Sequence, residues 1–337
     1  MRTRNLPLAL ACALCLCALT PAPARAEAVR PKIGICIYNA ADTFMSSVVR
    51  QIEREASASA EVITMDSEND QNLQCDQVQE MLEQNVDALI INPVDRTSAV
   101  YLLRLAQRQN VPLIFVNREP SPEDLALYDG AYYVGTDPKE TGYLCGELVV
   151  DWFTVHPEAD TNGDGMIQYV LLKGEPGHQD AELRTTYTLK AITEAGFRTE
   201  KLAEDTALWE RSIGQEKMAG FLATWGSRIE CVISNNDDMA LGAIDALKAA
   251  GWFSGGRYMP VVGVDATEPA LGALRQGALL GTVLNDAINQ GRATWKLVRL
   301  LYDKQPITAE NLGYTMDSFH RVYIASQKIT QESVLGQ

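Results

Sequence analysis

Short apolar runs rich in β-branched residues alternate with stretches of helical periodicity from Lys32 almost to the end of the chain. This alternation restricts the fold more than any other feature, because it is the grammar of βαβ units built on parallel sheets. The runs are Ile33 to Tyr38, Val62 to Met65, Ala88 to Ile91, Pro112 to Val116 and Tyr132 to Val134. A second series comprises Ile167 to Leu172, a weaker run at Glu200 to Leu202, Cys231 to Ser234, Pro260 to Val264 and Gly281 to Leu284. Helical patterns lie between them, over Phe44 to Ser57, Asp76 to Glu83, Thr97 to Gln109, Thr141 to Phe153, Ala181 to Ala195, Asp238 to Ala250 and Ile288 to Tyr302. A chain of 337 residues exceeds what one core usually supports. The expected fold class is therefore α/β, with two doubly wound parallel-sheet lobes divided at the loop Glu158 to Gly165.

Strands that are apolar nearly throughout are covered on both faces by helices, which leaves their carboxyl ends as the place for a ligand. Hydrogen-bonding side chains gather there: Asp42 after the first run, Asn117 after Val116, Asn235 and Asn236 after Ser234, Asp265 after Val264, and Asn285 after Leu284. Any one of these is also an ordinary helix cap or turn residue. Their recurrence in both halves points to a shared cleft.

The N-terminus carries Arg2 and Arg4, an apolar stretch from Leu6 to Leu19, and the small-x-small site Ala24-Arg25-Ala26. These are the parts of a secretory signal peptide cleaved after Ala26. The apolar stretch is shorter than the roughly 20 residues of a membrane-spanning helix. A lipid anchor is disfavoured, because Cys12 in Ala9-Leu10-Ala11-Cys12 comes too early and lacks the usual leucine three residues before it. Losing three arginines and no acid takes the formal charge from −15 to −18, and a chain this acidic repels nucleic acid. The four remaining cysteines, Cys36, Cys75, Cys145 and Cys231, contain no CxxC pair. They read as buried thiols, with one disulfide allowed by an oxidising compartment.

Asp160-Thr161-Asn162-Gly163-Asp164-Gly165-Met166-Ile167-Gln168 fits the first nine positions of a Ca²⁺-binding EF-hand loop. Side-chain oxygens stand at positions 1, 3, 5 and 9, glycine at 6, and the Met166 carbonyl at 7. The pattern then departs: position 12 is Leu171 instead of glutamate, and a strand follows where a helix would. A bidentate carboxylate must come from elsewhere in the chain.

With that loop, Asp42-Thr43-Phe44-Met45-Ser46, Phe115 to Pro120, Leu171 to His178, Asp180-Ala181-Glu182, Arg184 to Tyr187, Asn235-Asn236-Asp237, Gly263 to Ala266 and Gly281 to Asp286 complete an ordered set of matches. On these segments the sequence resembles the glucose/galactose-binding family of type I periplasmic substrate-binding proteins, from about Lys32 to Val322. The resemblance implies that Glu230 supplies the missing calcium carboxylate, beside Asp160, Asn162, Asp164, the Met166 carbonyl and Gln168. It also implies that Asp42, Asn117, His178, Asp180, Arg184, Asn236, Asp265 and Asn285 hydrogen-bond a sugar whose ring lies between Phe44 and Trp209. On sequence alone Trp209 reads equally well as core. Arg118 stands where a lysine is common.

The same resemblance implies D-glucose or D-galactose as ligand, delivery to the membrane subunits of an ABC transporter, contact with a chemoreceptor in some bacteria, and a monomer in the periplasm. It implies an N-terminal lobe of residues 27–137 and 285–319 and a C-terminal lobe of residues 138–284 and 320–337, with hinge crossings near Asp137, Asn285 and His320. Chemistry agrees with a sugar. Carboxylates accept from hydroxyls, Arg184, His178 and asparagine amides donate, and flat aromatics cover C–H faces. The alternatives are an exported carbohydrate-active enzyme using Asp42 with Asp180 or Asp265 as an acid/base pair, and a sensor that only signals. No nucleophile elbow, phosphate loop or HExxH motif supports an enzyme. A repressor of the same fold would need a DNA-binding helix-turn-helix at its start.

Overall fold

The computed structural model describes residues 30–336. The expected export signal and its cleavage point lie outside them. In chain order the strands are β1 (Lys32–Ile37), β2 (Glu61–Asp66), β3 (Ala88–Ile91), β4 (Leu113–Val116), β5 (Ala131–Gly135), β6 (Met166–Lys173), β7 (Arg198–Thr206), β8 (Cys231–Ser234), β9 (Val261–Asp265), β10 (Gly281–Leu284), β11 (Arg321–Tyr323) and β12 (Gln327–Thr330). They form two six-stranded sheets, ordered β11-β5-β4-β3-β1-β2 and β12-β10-β9-β8-β6-β7. All pairings are parallel except β10 with β12.

Alternate side chains of a strand face opposite sides of its sheet, so each lobe has two apolar layers. Ile33, Ile35 and Ile37 enter one cluster of the first lobe and Cys36 the other. Val170 and Leu172 divide from Tyr169 and Leu171 in the same way in the second. The edge strands β2 and β12 bury no side chain, and β7 buries only Leu202. The four cysteines from Cys36 onward are free thiols, three of them buried. No described helix is long and apolar enough to cross a membrane.

The chain passes between the sheets after Gly135, after Leu284 and after Tyr323. The helix Pro138–Val155 packs against Gln179–Glu194 in the second lobe, and Ala287–Tyr302 packs against Thr43–Ala56 in the first. The last crossing differs from the expectation at His320. Arg321, Val322 and Tyr323 still pair with β5, and the His320 ring stacks on Tyr132 at 4.9 Å, so the crossing falls between Tyr323 and Gln327. A strand of three residues with one buried apolar side chain is too short to show a period.

Two helices, Arg211–Trp225 and Glu268–Arg275, fall outside the helical patterns read from the sequence. In the first, the buried positions are Gly214 and Met218. It lies almost backbone to backbone on the helix Asp237–Ala249: a Cβ on Gly214 would stand 2.7 Å from the Met239 carbonyl oxygen, and one on Gly242 2.1 Å from that of Arg211. Replacing a helical glycine by alanine normally gains up to about 1 kcal/mol. Here the sign reverses, and Gly242→Ala is expected to cost about 1–3 kcal/mol by overpacking. Urea unfolding checks this, and a variant as stable as the parent would refute the close approach.

Candidate functional site

The carboxyl ends of both sheets converge on one small cavity lined by Tyr38, Asp42, Phe44, Met45, Asn117 and Arg118 from the first lobe, and by His178, Asp180, Arg184, Trp209, Asn236 and Asp265 from the second. It encloses about 30 Å³, room for one or two waters. It adjoins a mouth of about 1000 Å³ that shares Tyr38, Asp42 and Trp209 with it. Nine of the ten expected sugar contacts therefore share one wall. Asn285 does not line the cavity. Its Nδ2 donates to Asp265 Oδ1 at 3.0 Å and its Oδ1 accepts from Thr136 and Gln290, which places it behind Asp265.

Local chain geometry aims these groups. Asp42, His178 and Asn236 are helix N-caps, accepting from the backbone N–H of Met45 at 2.6 Å, Asp180 at 3.1 Å and Met239 at 3.0 Å. The same three residues cap helices and line the cavity. Asp42 also accepts from the Tyr38 hydroxyl. Asn117 sits at φ 63°, and its Oδ1 accepts from Asn92 at 3.3 Å, leaving its own amide hydrogens as donors. Trp209, at φ 67° and 9% exposed, lies over Gly174, where a Cβ would come within 2.1 Å of the indole. Its ring meets His178 edge to face at 5.1 Å.

Electrostatics centre on Arg184, which is buried. Nη2 donates to Asp180 Oδ2 at 3.0 Å and Nη1 to the Asn235 carbonyl at 2.9 Å, with Asp265 Oδ1 at 3.9 Å. Its Nε and the Trp209 Nε1 are buried donors without a protein acceptor, a state that costs free energy unless something polar meets them. Burial, with Arg118, Arg184 and Arg96 nearby, holds the His178 imidazole well below its usual range. The ring is neutral at neutral pH. Because Nδ1 accepts from the Asp180 amide, Nε2 carries the proton and donates. Burial raises the Asp180 carboxyl against the pull of Arg184, and raises Asp265 further with the charge of Asp237 added.

Asp237 escaped sequence reasoning as a functional side chain. It is fully buried and pushed up to about 7 by that burial. It accepts from the Thr282 hydroxyl at 2.7 Å and the Thr267 N–H at 2.8 Å. These bonds hold the turn in which Asp265 (φ 124°) and Ala266 (φ 53°) adopt unusual backbone angles. Tyr38 and Arg118 were missed as well, since Tyr38 reads as the last apolar residue of a strand and Arg118 was read only as an arginine where a lysine is common.

Away from this cavity, the loop from Asp160 turns through Gly163 (φ 73°) and Gly165 (φ 71°) into β6. The pairing of β6 with β8 sets Tyr169 opposite Cys231 and so brings Gln168 beside Glu230. Glu230, 3% exposed, accepts from the Thr161 and Gln168 backbone N–H groups at 2.6 and 3.1 Å. Asp160 accepts from Gly163 and Gly165, and Asp164 from Met166 and Gln168. Among the described residues no three His, Cys, Asp or Glu side chains form a metal-binding group, so a cation here would need amide and carbonyl oxygens too. Gln168 Oε1 is such an oxygen, buried and without a donor. Hard, oxygen-only donors with two left-handed glycines fit Ca²⁺ in kind.

A family model described as periplasmic binding protein domain matches residues 33–306. The D-galactose/methyl-galactoside binding periplasmic protein MglB of Haemophilus influenzae is 43% identical over 269 residues, 79% of this chain and 80% of that protein. A putative rhizopine-binding protein of Rhizobium meliloti is 34% identical over 68% of this chain and 70% of its own length. Among solved structures, an ABC transporter solute binding protein from Bacillus halodurans with bound myo-inositol superposes with a TM-score of 0.76 at 30% identity, covering 91% of this chain and 96% of that one.

Proposed function

Because this chain belongs to the periplasmic binding protein domain family, we propose that it captures D-glucose or D-galactose between its lobes and delivers the sugar unaltered to an ABC transporter. The observation that carries this reading is the make-up of the single cavity. Carboxylate acceptors (Asp42, Asp180, Asp265), donors (Arg184, Asn117, Asn236, neutral His178) and two aromatic rings (Phe44, Trp209) all line it. A pyranose offers both halves of that chemistry, hydroxyls around its rim and C–H groups on its faces. Charge-assisted hydrogen bonds then strengthen binding in a site shielded from water. The MglB relative, by its name, binds D-galactose and methyl-galactoside, which supports this sugar class.

A cavity of about 30 Å³ admits a hexose only when the lobes separate. Closure follows because both sets of contacts form only when the lobes meet around the sugar. The closed arrangement of lobe surfaces is what a transporter, and in some cells a chemoreceptor, can read. The enzyme alternative finds less support. Arg184 lies against Asp180 and within 3.9 Å of Asp265, which occupies these acids as ion-pair partners instead of leaving them as the free acid/base pair that glycoside hydrolysis requires.

Calcium is the second part of the proposal. Asp160, Asn162, Asp164, the Met166 carbonyl, Gln168 and Glu230 would hold it, and its charge would pin the loop to the start of β8.

Calorimetric titration with a panel of aldohexoses and pentoses tests the ligand. Asp42→Ala is expected to weaken D-glucose and D-galactose binding by about 1.5–3 kcal/mol, the range for hydrogen bonds to charged groups. The lost helix cap will also lower stability by about 1 kcal/mol, so both are measured on the same sample. Unchanged titrations would remove Asp42 from the site, and a parent protein that binds no sugar of the panel would remove the proposal.

A further inference from the structure

We infer that Arg118 is a positioning residue that fastens the two lobes together and, in the same contact set, fixes the carboxylate of Asp42. This inference rests on the sugar-binding reading. Arg118 follows β4 in the first lobe and is 4% exposed. Its Nη2 crosses the cleft to Glu175 Oε1 at 2.9 Å, on the loop after β6 in the second lobe. Its Nη1 donates to the Val94 carbonyl. The guanidinium carbon lies 3.8 Å from the centre of the Tyr38 ring, and the Tyr38 hydroxyl donates to Asp42 Oδ2.

The neighbouring residue adds to the same join. Glu119, 5% exposed, accepts across the cleft from Gln179 Nε2 at 3.2 Å. It also accepts from Arg321 and Tyr323, at 2.8 and 2.7 Å, on the strand that leads into the last crossing. Two consecutive side chains thus tie the first lobe to the second and to the hinge strand. The Arg118–Glu175 pair can exist only when the lobes are together. It is therefore absent when sugar enters and present when sugar must leave.

That timing gives the inference a kinetic signature, because a contact made after entry slows release without speeding capture. The geometry also requires arginine. A lysine ammonium cannot lie flat on Tyr38 and donate in two directions at once.

The test uses stopped-flow tryptophan fluorescence with D-galactose on the full chain, with small-angle scattering of the sugar-free protein alongside. Glu175→Gln, which leaves the Arg118 site intact, is expected to raise the release rate about tenfold, near the low end for a charged hydrogen bond, with the capture rate within about twofold. Arg118→Lys should raise release at least as much. Arg118→Met combined with Glu175→Gln should release no faster than Arg118→Met alone, since both changes remove one contact. A release rate unchanged in Glu175→Gln, or effects that multiply in the double variant, would overturn the inference. If the parent protein responds to no hexose, the sugar reading fails instead, and scattering decides the lobe contact alone. In that event, where no sugar is needed to bring the lobes together, a larger radius of gyration in Glu175→Gln than in the parent supports the fastening, and equal radii reject it.

Discussion

Replacing Arg184 with methionine will lower the unfolding free energy by about 3–5 kcal/mol, the range for breaking a buried ion pair from one side. Methionine replaces the stem well enough, so the loss comes from charge. Asp180, 6% exposed, and Asp265, 7% exposed, both face this guanidinium, and Asp237 lies fully buried behind Asp265. Without the cation these acids remain in a buried setting that already raises their pKa and so disfavours ionisation. They will take up protons.

The sign of the pH dependence follows. A carboxyl whose folded pKa stands above its unfolded value binds more protons when folded, so stability falls as pH rises through that interval. Removing Arg184 pushes the folded values higher still and widens the interval. The variant's deficit should therefore be larger at pH 8 than at pH 5. Urea unfolding at the two pH values reads both quantities, and a deficit under about 1 kcal/mol at pH 8 would show that Arg184 is not the counter-ion of this cluster.

Chelating calcium should lower the melting temperature whether or not sugar is bound. A metal that binds only the folded state stabilises it by mass action, about 4 kcal/mol when free metal exceeds its dissociation constant a thousandfold. For a protein of this size that corresponds to a shift on the order of 10 °C. The buried carboxylate of Glu230 is the sharpest probe. Glu230→Gln keeps its shape and loses its charge, and in excess Ca²⁺ it should melt as low as the chelator-treated parent. If the parent holds no metal by elemental analysis and ignores chelator, the oxygen cluster is a hydrogen-bonded turn and nothing more.

Much of this molecule could be read from its sequence because apolar strand runs and helix periods reflect burial, which composition records directly. Asp42, Asn117, Asn236 and Asp265 were legible for a related reason: they stand at strand ends, where polar side chains interrupt apolar runs, whereas Phe44, His178, Asp180, Arg184 and Trp209 came only with the family resemblance. What stayed hidden depends on partners distant in sequence. Gly214 and Gly242 mark a helix contact in which backbone replaces side chain, so no apolar stripe announces it. Asp237 looks like one more acid at a helix start until Thr267 and Thr282 are seen around it. Asn285, expected to touch sugar, donates to Asp265 and is not among the residues lining the cavity, a distinction of one layer that residue type cannot encode. Arg118 becomes meaningful only through Glu175 on the other lobe.

Asp42, His178 and Asn236 each begin a helix with the same side chain that faces the cavity. This double duty narrows how the protein can be re-engineered or diversify. Good N-caps come from a short alphabet of small oxygen-bearing residues, and a new specificity that needs a bulky, apolar or cationic group at one of these three places would fray a helix as it arrived. Adaptation to other ligands has a freer path through Phe44, which caps nothing and has helical backbone, than through Asn117, Trp209 and Asp265, which stand at positive φ of 63°, 67° and 124°. A mutational library built on Phe44 should therefore return a larger fraction of folded clones than one of equal size built on any of the three helix starts.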